Sequence, residues 1–466
     1  MHAFQSVVVE ALTALEAELL LFAAVFFALG LIDELVVDAI YVWGRLTGRL
    51  TTLRIDTAGI EEMPLGGLAA VFIPTWREDP VIGPTLAHAL SVWPQDDLRI
   101  YVGCYRNDPE TMASIMAAAR GDERVRVVVV GEDGPTCKAH CLNRLYAALC
   151  LDEARSGRQA HMVVLHDAED MVDAAALPLL DIAVRDHAFV QLPVMALPAS
   201  DSVWVASHYS DEFAESHAKG MVVRGMLGAA IPGAGVGCAI ARSKLGELAR
   251  AEGGAPFAQG ALTEDYELGL KIAALGGRGK FLRVRRLSGE LVATRAYFPD
   301  TLAQSVRQKT RWTHGIALQG WDRLGWKGNK AQRWMTLRDR RGPLAAILLA
   351  IAYFLFPLIF ALHIAADMGV AEERPLSPEL TILLTVTFAG LLWRLLLRAL
   401  FTAREYGLRQ GLLAIPRVLV SNVIAIMSGR RALAAYVHNL RGSPVVWDKT
   451  EHRAHPALVA AAEATT

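Results

Sequence analysis

The chain has 466 residues, of which 53% are hydrophobic, and its mean hydropathy of +0.30 excludes an ordinary soluble enzyme. The formal net charge of -1 excludes a global basic field, so we expect no nucleic-acid partner. The five cysteines are scattered and odd in number, which predicts free thiols.

The first membrane segment lies near the amino terminus. The uncharged apolar run from Leu19 to Ile32 is short for a span, for which about 20 residues are normally needed. Acidic residues precede the run, whereas Arg45, Arg49 and Arg54 follow it. Because cytoplasmic flanks are rich in Lys and Arg, we expect the amino end outside and the main domain in the cytoplasm. Residues 1–55 are thus predicted to form a membrane anchor with a juxtamembrane segment.

Two further apolar segments predict a transmembrane hairpin over residues 337–410. Pro343 to Ala366 contains no Asp, Glu, Lys or Arg, and Leu380 to Leu397 returns after an acidic loop. Gly411 to Leu440 is interrupted by proline and arginine, which predicts an interfacial or re-entrant helix, with a fourth span as the alternative. Residues 411–466 are assigned to this helix and a cytoplasmic tail, and the lipid bilayer is an expected partner.

Short apolar strands alternate with helical stretches over residues 56–336. The predicted strands are Leu68–Pro74, Leu98–Cys104, Val125–Val130 and Met162–Leu165, and the predicted helices between them are Pro84–Val92, Pro109–Ala119 and Lys138–Leu149. This alternation is typical of an α/β domain with a mostly parallel sheet. No dinucleotide-binding or P-loop glycine pattern follows the first strand, which excludes those two nucleotide sites.

Three carboxylates, those of Asp167, Glu169 and Asp170, follow the strand predicted at Met162–Leu165. Parallel strands place ligand sites at their carboxyl ends. Clustered carboxylates repel one another, so they stay ionised at low cost only when a cation, hydrogen bonds or solvent stabilises them. The stretch therefore predicts a divalent metal site, with a solvated acidic turn as the alternative.

Two later stretches could also face a ligand. The glycine-rich segment Gly228–Gly237 allows either a close backbone approach to a ligand or a flexible connection. Asp265 lies at the start of a helix predicted over Tyr266–Leu275, where backbone donors favour its ionised form. A helix cap is the alternative role for this carboxylate.

Gln308, Arg311 and Trp312 share one side of a helix predicted over Thr301–Gln319, because they follow the i, i+3, i+4 spacing. A guanidinium suits a diphosphate, and an indole suits the apolar face of a sugar ring. An Arg–Trp pair at a membrane interface is the alternative.

Taken in this order, these residues resemble the motifs of the family 2 glycosyltransferases, over about Val71 to Trp321. The resemblance implies a GT-A fold, an inverting mechanism and a nucleotide-diphosphate sugar donor, for which a UDP sugar is expected. The matching positions are Pro74, Thr75 and Glu78 after the first strand, the K-A-x-x-L-N stretch from Lys138 to Asn143, the D-x-D positions Asp167 and Glu169, the T-E-D stretch Thr263-Glu264-Asp265, and the Q-x-x-R-W residues Gln308, Arg311 and Trp312.

The resemblance implies a role for each position. It assigns donor binding to Pro74, Thr75, Glu78, Lys138, Asp167 and Arg311. A divalent metal, Mg2+ or Mn2+, would be held by Asp167 and Glu169, with Asp170 as a third ligand. Catalysis falls to Asp265 as the general base with Glu264 beside it, and acceptor binding to Gln308, Trp312 and Gly235. The family's acidic residue at the end of the second strand is replaced by Gly103-Cys104-Tyr105, which leaves Asp108 as the nearest carboxylate for base recognition.

The stretches H-D-A-E-D and V-V-W-D-K-T-E-H-R are more narrowly similar to the NfrB-like inner-membrane glycosyltransferases, a group associated with a phage receptor and exopolysaccharide export. This similarity implies a bacterial inner-membrane protein with a cytoplasmic catalytic domain. It also implies that the tail around Trp447, Lys449, Thr450 and His452 folds back toward the site.

The expected function is transfer of a hexosyl or N-acetylhexosaminyl group to a growing polysaccharide. A single transfer to a polyprenyl-phosphate or other lipid-linked acceptor is the alternative among enzymes, and an inactive membrane scaffold or phage-receptor subunit is the alternative outside them. About three spans offer little material for a sugar channel, so an outer-membrane export partner or a homodimer would have to complete it.

Overall fold

The computed structural model describes residues 2–199, 202–370, 375–442 and 455–458. Its helices are α1 (His2–Leu46), α2 (Ala58–Glu61), α3 (Asp79–Val92), α4 (Pro109–Ala119), α5 (Lys138–Ser156), α6 (Ala176–Val184), α7 (Ser207–Glu215), α8 (Met221–Met226), α9 (Arg242–Ala251), α10 (Glu264–Ala274), α11 (Leu302–Trp312), α12 (Gly320–Leu324), α13 (Lys330–Arg340), α14 (Gly342–Asp367), α15 (Pro378–Tyr406) and α16 (Leu408–Leu440). Two π-helical segments, Ser216–Gly220 and Thr313–Gln319, join α7 to α8 and α11 to α12.

The strands are β1 (Leu53–Ile55), β2 (Leu68–Pro74), β3 (Leu98–Tyr105), β4 (Val125–Val130), β5 (Ala160–Leu165), β6 (Phe189–Gln191), β7 (Val194–Ala196), β8 (Cys238–Ala241), β9 (Gly279–Phe281), β10 (Val284–Arg286) and β11 (Thr294–Ala296). A seven-stranded sheet has the order β4-β3-β2-β5-β8-β6-β9, in which β8 runs antiparallel to both of its neighbours. The pairs β1–β10 and β7–β11 form two small sheets. The mostly parallel, mixed sheet confirms the predicted α/β class.

Helices cover both faces of the large sheet, which explains why its central strands are continuous apolar runs. On one face, α3, α4 and α6 contribute core residues that include Ile82, Leu86, Ile115, Leu177 and Leu180. On the other face, α5, α9 and α10 contribute Leu142, Leu145, Leu245 and Leu268. The four predicted strands are present, two of them one or two residues longer than predicted.

Two predicted helices are longer than the apolar pattern indicated. α3 begins at Asp79, before Pro84, because Pro80 lies in its first turn, where a missing N–H removes no helical hydrogen bond. α5 continues to Ser156 and ends at Gly157, whose φ of 67° closes the helix in the left-handed conformation.

Four helices, α1, α14, α15 and α16, are long and apolar enough to cross a membrane. α1 is one continuous helix, much longer than the predicted run from Leu19 to Ile32. α16 is continuous through Pro416, so the shortness of its uncharged run is not an argument against a span. Length and composition therefore do not distinguish an interfacial helix from a fourth span for α16.

Three acidic residues of α1, Asp33, Glu34 and Asp38, tie this helix to the rest of the chain. Asp33 and Glu34 pair with Arg338 and Arg341, which lie just before α14. Asp38 pairs with Lys219 and accepts a hydrogen bond from the Trp393 indole at 2.9 Å. These ion pairs explain how α1 continues through an acidic stretch that would otherwise end an apolar segment.

Candidate active site

A cavity of about 650 Å³ opens at the carboxyl ends of β2 and β5. Its wall brings together residues that are far apart in the sequence, as expected for an α/β sheet. The predicted site residues that line it are Pro74, Thr75, Glu78, Lys138, Asp167, Glu169, Asp170, Glu264, Asp265, Gln308, Arg311 and Trp312.

Lys138 is the first residue of α5, and its ammonium forms an ion pair with Asp167. Burial disfavours the charged ammonium, but Asp167, Glu264 and Asp265 outweigh this effect and raise the pKa of Lys138. The side chain therefore keeps its positive charge at the floor of the cavity. The amino terminus of α5 adds a partial positive charge at the same place, which suits an anionic group.

The three carboxylates of the acidic turn do not share one environment. Asp170 is 2% exposed, and its Oδ2 accepts hydrogen bonds from His166 Nδ1 at 2.8 Å and from the Asp167 amide at 3.0 Å. Asp167 and Glu169 line the same cavity but are partly exposed to it. Asp170 therefore braces the turn, and the prediction of Asp170 as a third metal ligand does not fit this geometry.

Within the described residues, no group of three or more His, Cys, Asp or Glu side chains is arranged to hold a metal ion. The available ligands are the hard carboxylate oxygens of Asp167 and Glu169. Mg2+ and similar cations are commonly held by one or two carboxylates together with substrate phosphates. The two residues fit such a shared site and do not form a metal cage by themselves.

Glu264 and Asp265 begin α10 at the cavity floor. Burial raises the pKa of Asp265, and Lys138 opposes this shift. Burial, followed by the charge of Asp265, raises the pKa of Glu264. The cap position of α10 belongs to Thr263, and Asp265 Oδ1 accepts a 2.8 Å hydrogen bond from the Tyr266 amide, so Asp265 is not the N-cap residue.

Gly235 lies against the carboxylate of Asp265. Its φ is 80°, and a Cβ at this position would lie 2.6 Å from Asp265 Oδ2 and 3.3 Å from Lys138 Nζ. Both the backbone conformation and the close approach require glycine. The glycine-rich segment is therefore a tight loop over the carboxylate of Asp265, while the close approach to a ligand and the acceptor contact predicted for Gly235 stay predictions.

The predicted helix over Thr301–Gln319 changes geometry at its middle, because α11 ends at Trp312 and the chain continues as a π-helix. Trp312 belongs to an aromatic cluster, with ring centroids 5.9 Å from Tyr209, 6.3 Å from Phe213 and 6.5 Å from Phe298. Phe213, Phe298 and Trp312 also line the cavity. They give one wall an apolar surface suited to sugar rings.

The segment after Trp312 supports the T-E-D loop, which the sequence did not predict. Gln319 Oε1 accepts a hydrogen bond from the Leu262 amide, and its Nε2 donates to the Gly260 carbonyl, both at 2.9 Å. A Cβ on Gly315 would lie 2.6 Å from Thr263 Oγ1. The π-helix thus packs directly on the loop that carries Glu264 and Asp265.

The helical run of α7, its π-helical continuation and α8 was also missed, although it forms the cavity wall that faces the apolar helices. Glu212, Phe213, Met221 and Arg224 line the cavity from this run. The available signal was the i, i+4 spacing of Asp211, Glu215 and Lys219, which is typical of a helix with polar pairs.

Arg224 connects this wall to the catalytic loop through a shared carboxylate. Its guanidinium forms two 2.8 Å hydrogen bonds with Asp339, and the Tyr266 hydroxyl donates to the same carboxylate at 2.8 Å. Tyr266 directly follows Asp265, so α8, α10 and α13 meet at the partly buried carboxylate of Asp339.

Asp108, predicted to contact the nucleotide base, does not reach the cavity wall. It is 3% exposed, and its Oδ2 accepts a 2.6 Å hydrogen bond from the amide of Arg77, whose φ is 52°. Asp108 therefore stabilises the loop between Thr75 and Glu78. The cavity wall at this end includes the rings of Trp76 and Tyr105, whose centroids are 5.2 Å apart.

The predicted tail residues Trp447, Lys449, Thr450 and His452 lie outside the described residues. Their placement near the site stays a prediction.

One known protein family matches the part of the chain that carries the site residues from Pro74 to Trp312. The sequence profile described as "Glycosyltransferase like family 2" matches residues 67–315, more than half of the chain. This segment contains the large sheet and every motif from Pro74 to Trp312. Together with the mixed sheet, it confirms the GT-A fold that the resemblance implied.

Two curated relatives are each 30% identical to the chain over 459 residues: "Bacteriophage adsorption protein B" of Escherichia coli (strain K12) and "Bacteriophage N4 adsorption protein B" of Escherichia coli O157:H7. Each alignment covers 92% of this chain and 61% of the relative. The chain therefore spans about three fifths of the length of these relatives.

Solved structures with a similar fold are distant in sequence. Mannosyltransferase PcManGT from Pyrobaculum calidifontis, in complex with GDP-Man and Mn2+, is 17% identical, with a TM-score of 0.46 over 90% of this chain and 99% of that chain. Glucosyl-3-phosphoglycerate synthase from Mycobacterium tuberculosis, in complex with Mn2+, UDP and phosphoglyceric acid, is 17% identical, with a TM-score of 0.31 over 51% of this chain and 73% of that chain.

Proposed function

Because the chain belongs to the family 2 glycosyltransferases, we propose that it is a membrane-bound inverting enzyme that transfers a sugar from a nucleotide-diphosphate donor to a growing polysaccharide. The observation that carries this proposal is the arrangement at the cavity floor. Lys138 contacts Asp167, and both lie beside the buried carboxylate of Glu264 and the partly exposed carboxylate of Asp265. A fixed positive charge and a carboxylate of raised pKa in one cavity suit the loss of an anionic leaving group and the removal of a proton.

The donor would lie with its diphosphate between Lys138 and the acidic turn. Asp167 and Glu169 would hold Mg2+ or Mn2+, and the bound cation would neutralise charge on the diphosphate as a Lewis acid. Lys138 and Arg311 line the same cavity and would add positive charge. The nucleotide base of the donor would lie toward the strand ends, near Trp76 and Tyr105. UDP stays the expected nucleotide.

Asp265 would accept the proton of the acceptor hydroxyl as that oxygen attacks the anomeric carbon. A single displacement with one base inverts the configuration of the sugar. Gly235 holds the loop against Asp265 without a side chain, which leaves the carboxylate open to the cavity. The aromatic wall of Phe213, Phe298 and Trp312 would hold the acceptor sugar.

A second acceptor class is favoured by the charges at the other end of the cavity. Arg338 and Arg341, which lie just before the apolar helix α14, also line the cavity. A phosphate attached to a lipid chain would compete with Asp33 and Glu34 for these guanidinium groups and would have an apolar helix beside it. Transfer to a polyprenyl-phosphate is therefore the second candidate function.

We propose that α1, α14 and α15 span the membrane and that α16 lies in its cytoplasmic interface. Arg417 of α16 pairs with Asp211 at 2.5 Å, while Asn439 contacts His314 at 3.3 Å. These two positions on α16 are about 33 Å apart at the usual rise per residue. Contacts with the catalytic domain at both ends support a helix that lies along the domain, because a spanning helix would leave it at one end.

Reporter fusions test this topology. With three spans and an external amino end, green fluorescent protein fused after Gly442 is expected to fluoresce in the cytoplasm, and alkaline phosphatase at the same position is expected to be inactive. Active alkaline phosphatase and no fluorescence would show that α16 crosses the membrane. The same two reporters fused after Gly369, in the loop before α15, serve as the external control.

The function is tested by a donor screen on purified protein in detergent, with nucleotide release as the first measurement and mass spectrometry of the product as the second. We expect release with one class of sugar nucleotide, dependent on Mg2+ or Mn2+ and lost on chelation or in Asp167→Ala. Asp96→Asn, an exposed carboxylate outside the cavity wall, is the control. A polymer product supports the proposed function, one sugar on a lipid phosphate supports the second candidate, and no nucleotide release with any donor favours an inactive scaffold or receptor subunit.

A further inference from the structure

The acidic turn and the residues that follow it, together Asp167 to Asp173, are supported by side chains that contact their backbone carbonyls. Three of these donors come from α3 and the residue that follows it. Thr85 donates to the Ala168 carbonyl, His88 Nε2 lies 2.9 Å from the Val172 carbonyl, and Trp93 Nε1 donates to the Asp173 carbonyl at 3.1 Å. This segment contains no helix or strand, so these side-chain hydrogen bonds supplement the isolated backbone pairing of Met171 with Arg295.

A fourth carbonyl of the turn, that of Asp170, is contacted by the segment 455–458, which follows α16 in the chain. His455 is fully buried, and its Nε2 lies 3.3 Å from the Asp170 carbonyl oxygen. Its Nδ1 accepts a hydrogen bond from the Ala457 amide at 3.2 Å, so Nε2 carries the proton and donates to Asp170. The imidazole therefore joins the carboxyl-terminal segment to the acidic turn through both of its nitrogens.

We propose that His455 is a positioning residue of the active site, through which the carboxyl-terminal segment fixes the carboxylates of Asp167 and Glu169. The inference rests on the proposed function and extends it to a residue far from the catalytic motifs. Asp167 and Glu169 face the cavity, whereas the carbonyls of Ala168 and Asp170 face the supporting donors. Without His455 the Asp170 carbonyl loses this donor, and the position of the turn then depends on the donors from α3, the Asp170 carboxylate and the pairing of Met171 with Arg295.

Three variants of the full chain test the proposal. His455→Ala removes the hydrogen bond, and His455→Gln keeps an N–H donor near the position of Nε2. Leu458→Ala is the control, because Leu458 lies on the same segment and is 53% exposed. Nucleotide release is measured against Mn2+ concentration, since a displaced carboxylate pair changes the metal requirement as well as the rate.

We expect His455→Ala to lower the rate roughly tenfold and to raise the Mn2+ concentration for half-maximal rate, because small displacements of catalytic groups reduce rates strongly. His455→Gln should recover most of both quantities, and Leu458→Ala should match the unchanged enzyme. A wild-type rate and Mn2+ dependence in His455→Ala would overturn the proposal. An equal loss in the Ala and Gln variants with an unchanged Mn2+ requirement would also overturn it, because that pattern belongs to a general structural role.

Hydrogen–deuterium exchange gives a readout that does not depend on activity. Peptides covering residues 166–173 should exchange faster in His455→Ala than in the unchanged protein, His455→Gln or Leu458→Ala. Unchanged exchange in these peptides would reject the proposal whatever the activity. Absence of nucleotide release from the unchanged protein, with faster exchange in His455→Ala, would instead reject the proposed function and leave the support of the turn by His455 established.

Discussion

The two halves of the cavity are built in different ways. The half at the strand ends is made by short motifs, each of which directly follows a strand or begins a helix, as Asp167 follows β5 and Lys138 begins α5. The half toward the apolar helices depends on ion pairs between distant segments: Arg224 and Asp339 lie in the cavity wall, and Arg417 with Asp211 ties α16 to α7 behind it. The candidate catalytic residues therefore lie in short sequence motifs, whereas the contacts that hold the opposite wall join residues far apart in the sequence.

The largest expected effect is a loss of turnover, and it tests the half of the cavity at the strand ends. Asp265→Asn keeps the shape of the side chain and removes the base, so we expect turnover to fall by about 10²- to 10⁴-fold. Binding of the nucleotide should be nearly unchanged, because Lys138 and Asp167 remain. Steady-state nucleotide release and equilibrium binding of UDP measure the two quantities.

Asp96→Asn is the matched control for this substitution, because it replaces an exposed carboxylate with an amide away from the cavity. A near-normal rate in Asp265→Asn would show that Asp265 only stabilises the start of α10. A loss of UDP binding in the same variant would place the residue in the donor site instead.

The second prediction concerns the stability of the half of the cavity toward the apolar helices. Arg417 and Asp211 are both fully buried and 2.5 Å apart. Replacement of Arg417 by Met leaves a buried carboxylate without this partner, and breaking a buried pair costs about 3–5 kcal/mol. We expect a lower thermal unfolding midpoint in detergent, followed by loss of activity at temperatures where the unchanged protein works.

The exposed Arg409 lies on the same helix, so Arg409→Met controls for loss of charge and should leave the midpoint unchanged. The double variant Asp211→Asn with Arg417→Met should recover part of the lost stability, since no buried charge is left unpaired by the loss of Arg417. A midpoint in Arg417→Met equal to that of Arg409→Met would show that the pair adds nothing to the attachment of α16.

The difference between the halves also explains what the sequence could predict. Asp167 and Asp265 were singled out because a strand end or a helix start fixes each position within a few residues, whereas Lys138 was singled out by its resemblance to the K-A-x-x-L-N motif; all three line the cavity. Asp170 was assigned to the metal because it lies beside Glu169, but its carboxylate turns back to His166 and the Asp167 amide, and sequence proximity does not report that direction.

The wall could not be predicted because its partners are far apart along the chain. Arg224 and Asp339 are separated by more than a hundred residues, and neither belongs to a recognisable motif. Asp108 shows the same limit on a smaller scale, since its bond to the Arg77 amide depends on how two loops meet. Apolar periodicity predicts which segments are buried, but not which polar groups pair across the fold.

A smaller loss of turnover is expected when the contact between Gly235 and the proposed general base, Asp265, is disturbed. Gly235→Ala places a Cβ 2.6 Å from Asp265 Oδ2 and forces alanine into a φ of 80°. The left-handed conformation costs about 1–2 kcal/mol. Displacement of the carboxylate should lower turnover by roughly tenfold, because rates depend strongly on the position of catalytic groups.

Gly276→Ala separates strain from contact. Gly276 has a φ of 77°, and no described atom lies within 4 Å of the position that a Cβ would take, so the alanine meets backbone strain alone. Both variants should lose similar stability, while only Gly235→Ala should lose turnover at a temperature where both are folded. Equal turnover in the two variants would show that the loop does not fix Asp265.

The smallest effect is a displacement along the pH axis. Burial raises the pKa of Asp265, and the positive charge of Lys138 is the largest opposing influence. A general base works in its ionised form, so turnover is kept at high pH and lost as the pH falls through the raised pKa. We therefore expect the acidic limb of the pH–rate profile to lie above the usual pKa range of an aspartate.

Lys138→Gln should move this limb to still higher pH, whatever rate remains, because it removes the charge that stabilises the carboxylate. An acidic limb at the same pH in Lys138→Gln would show that Lys138 binds the donor only and does not influence the pKa of Asp265.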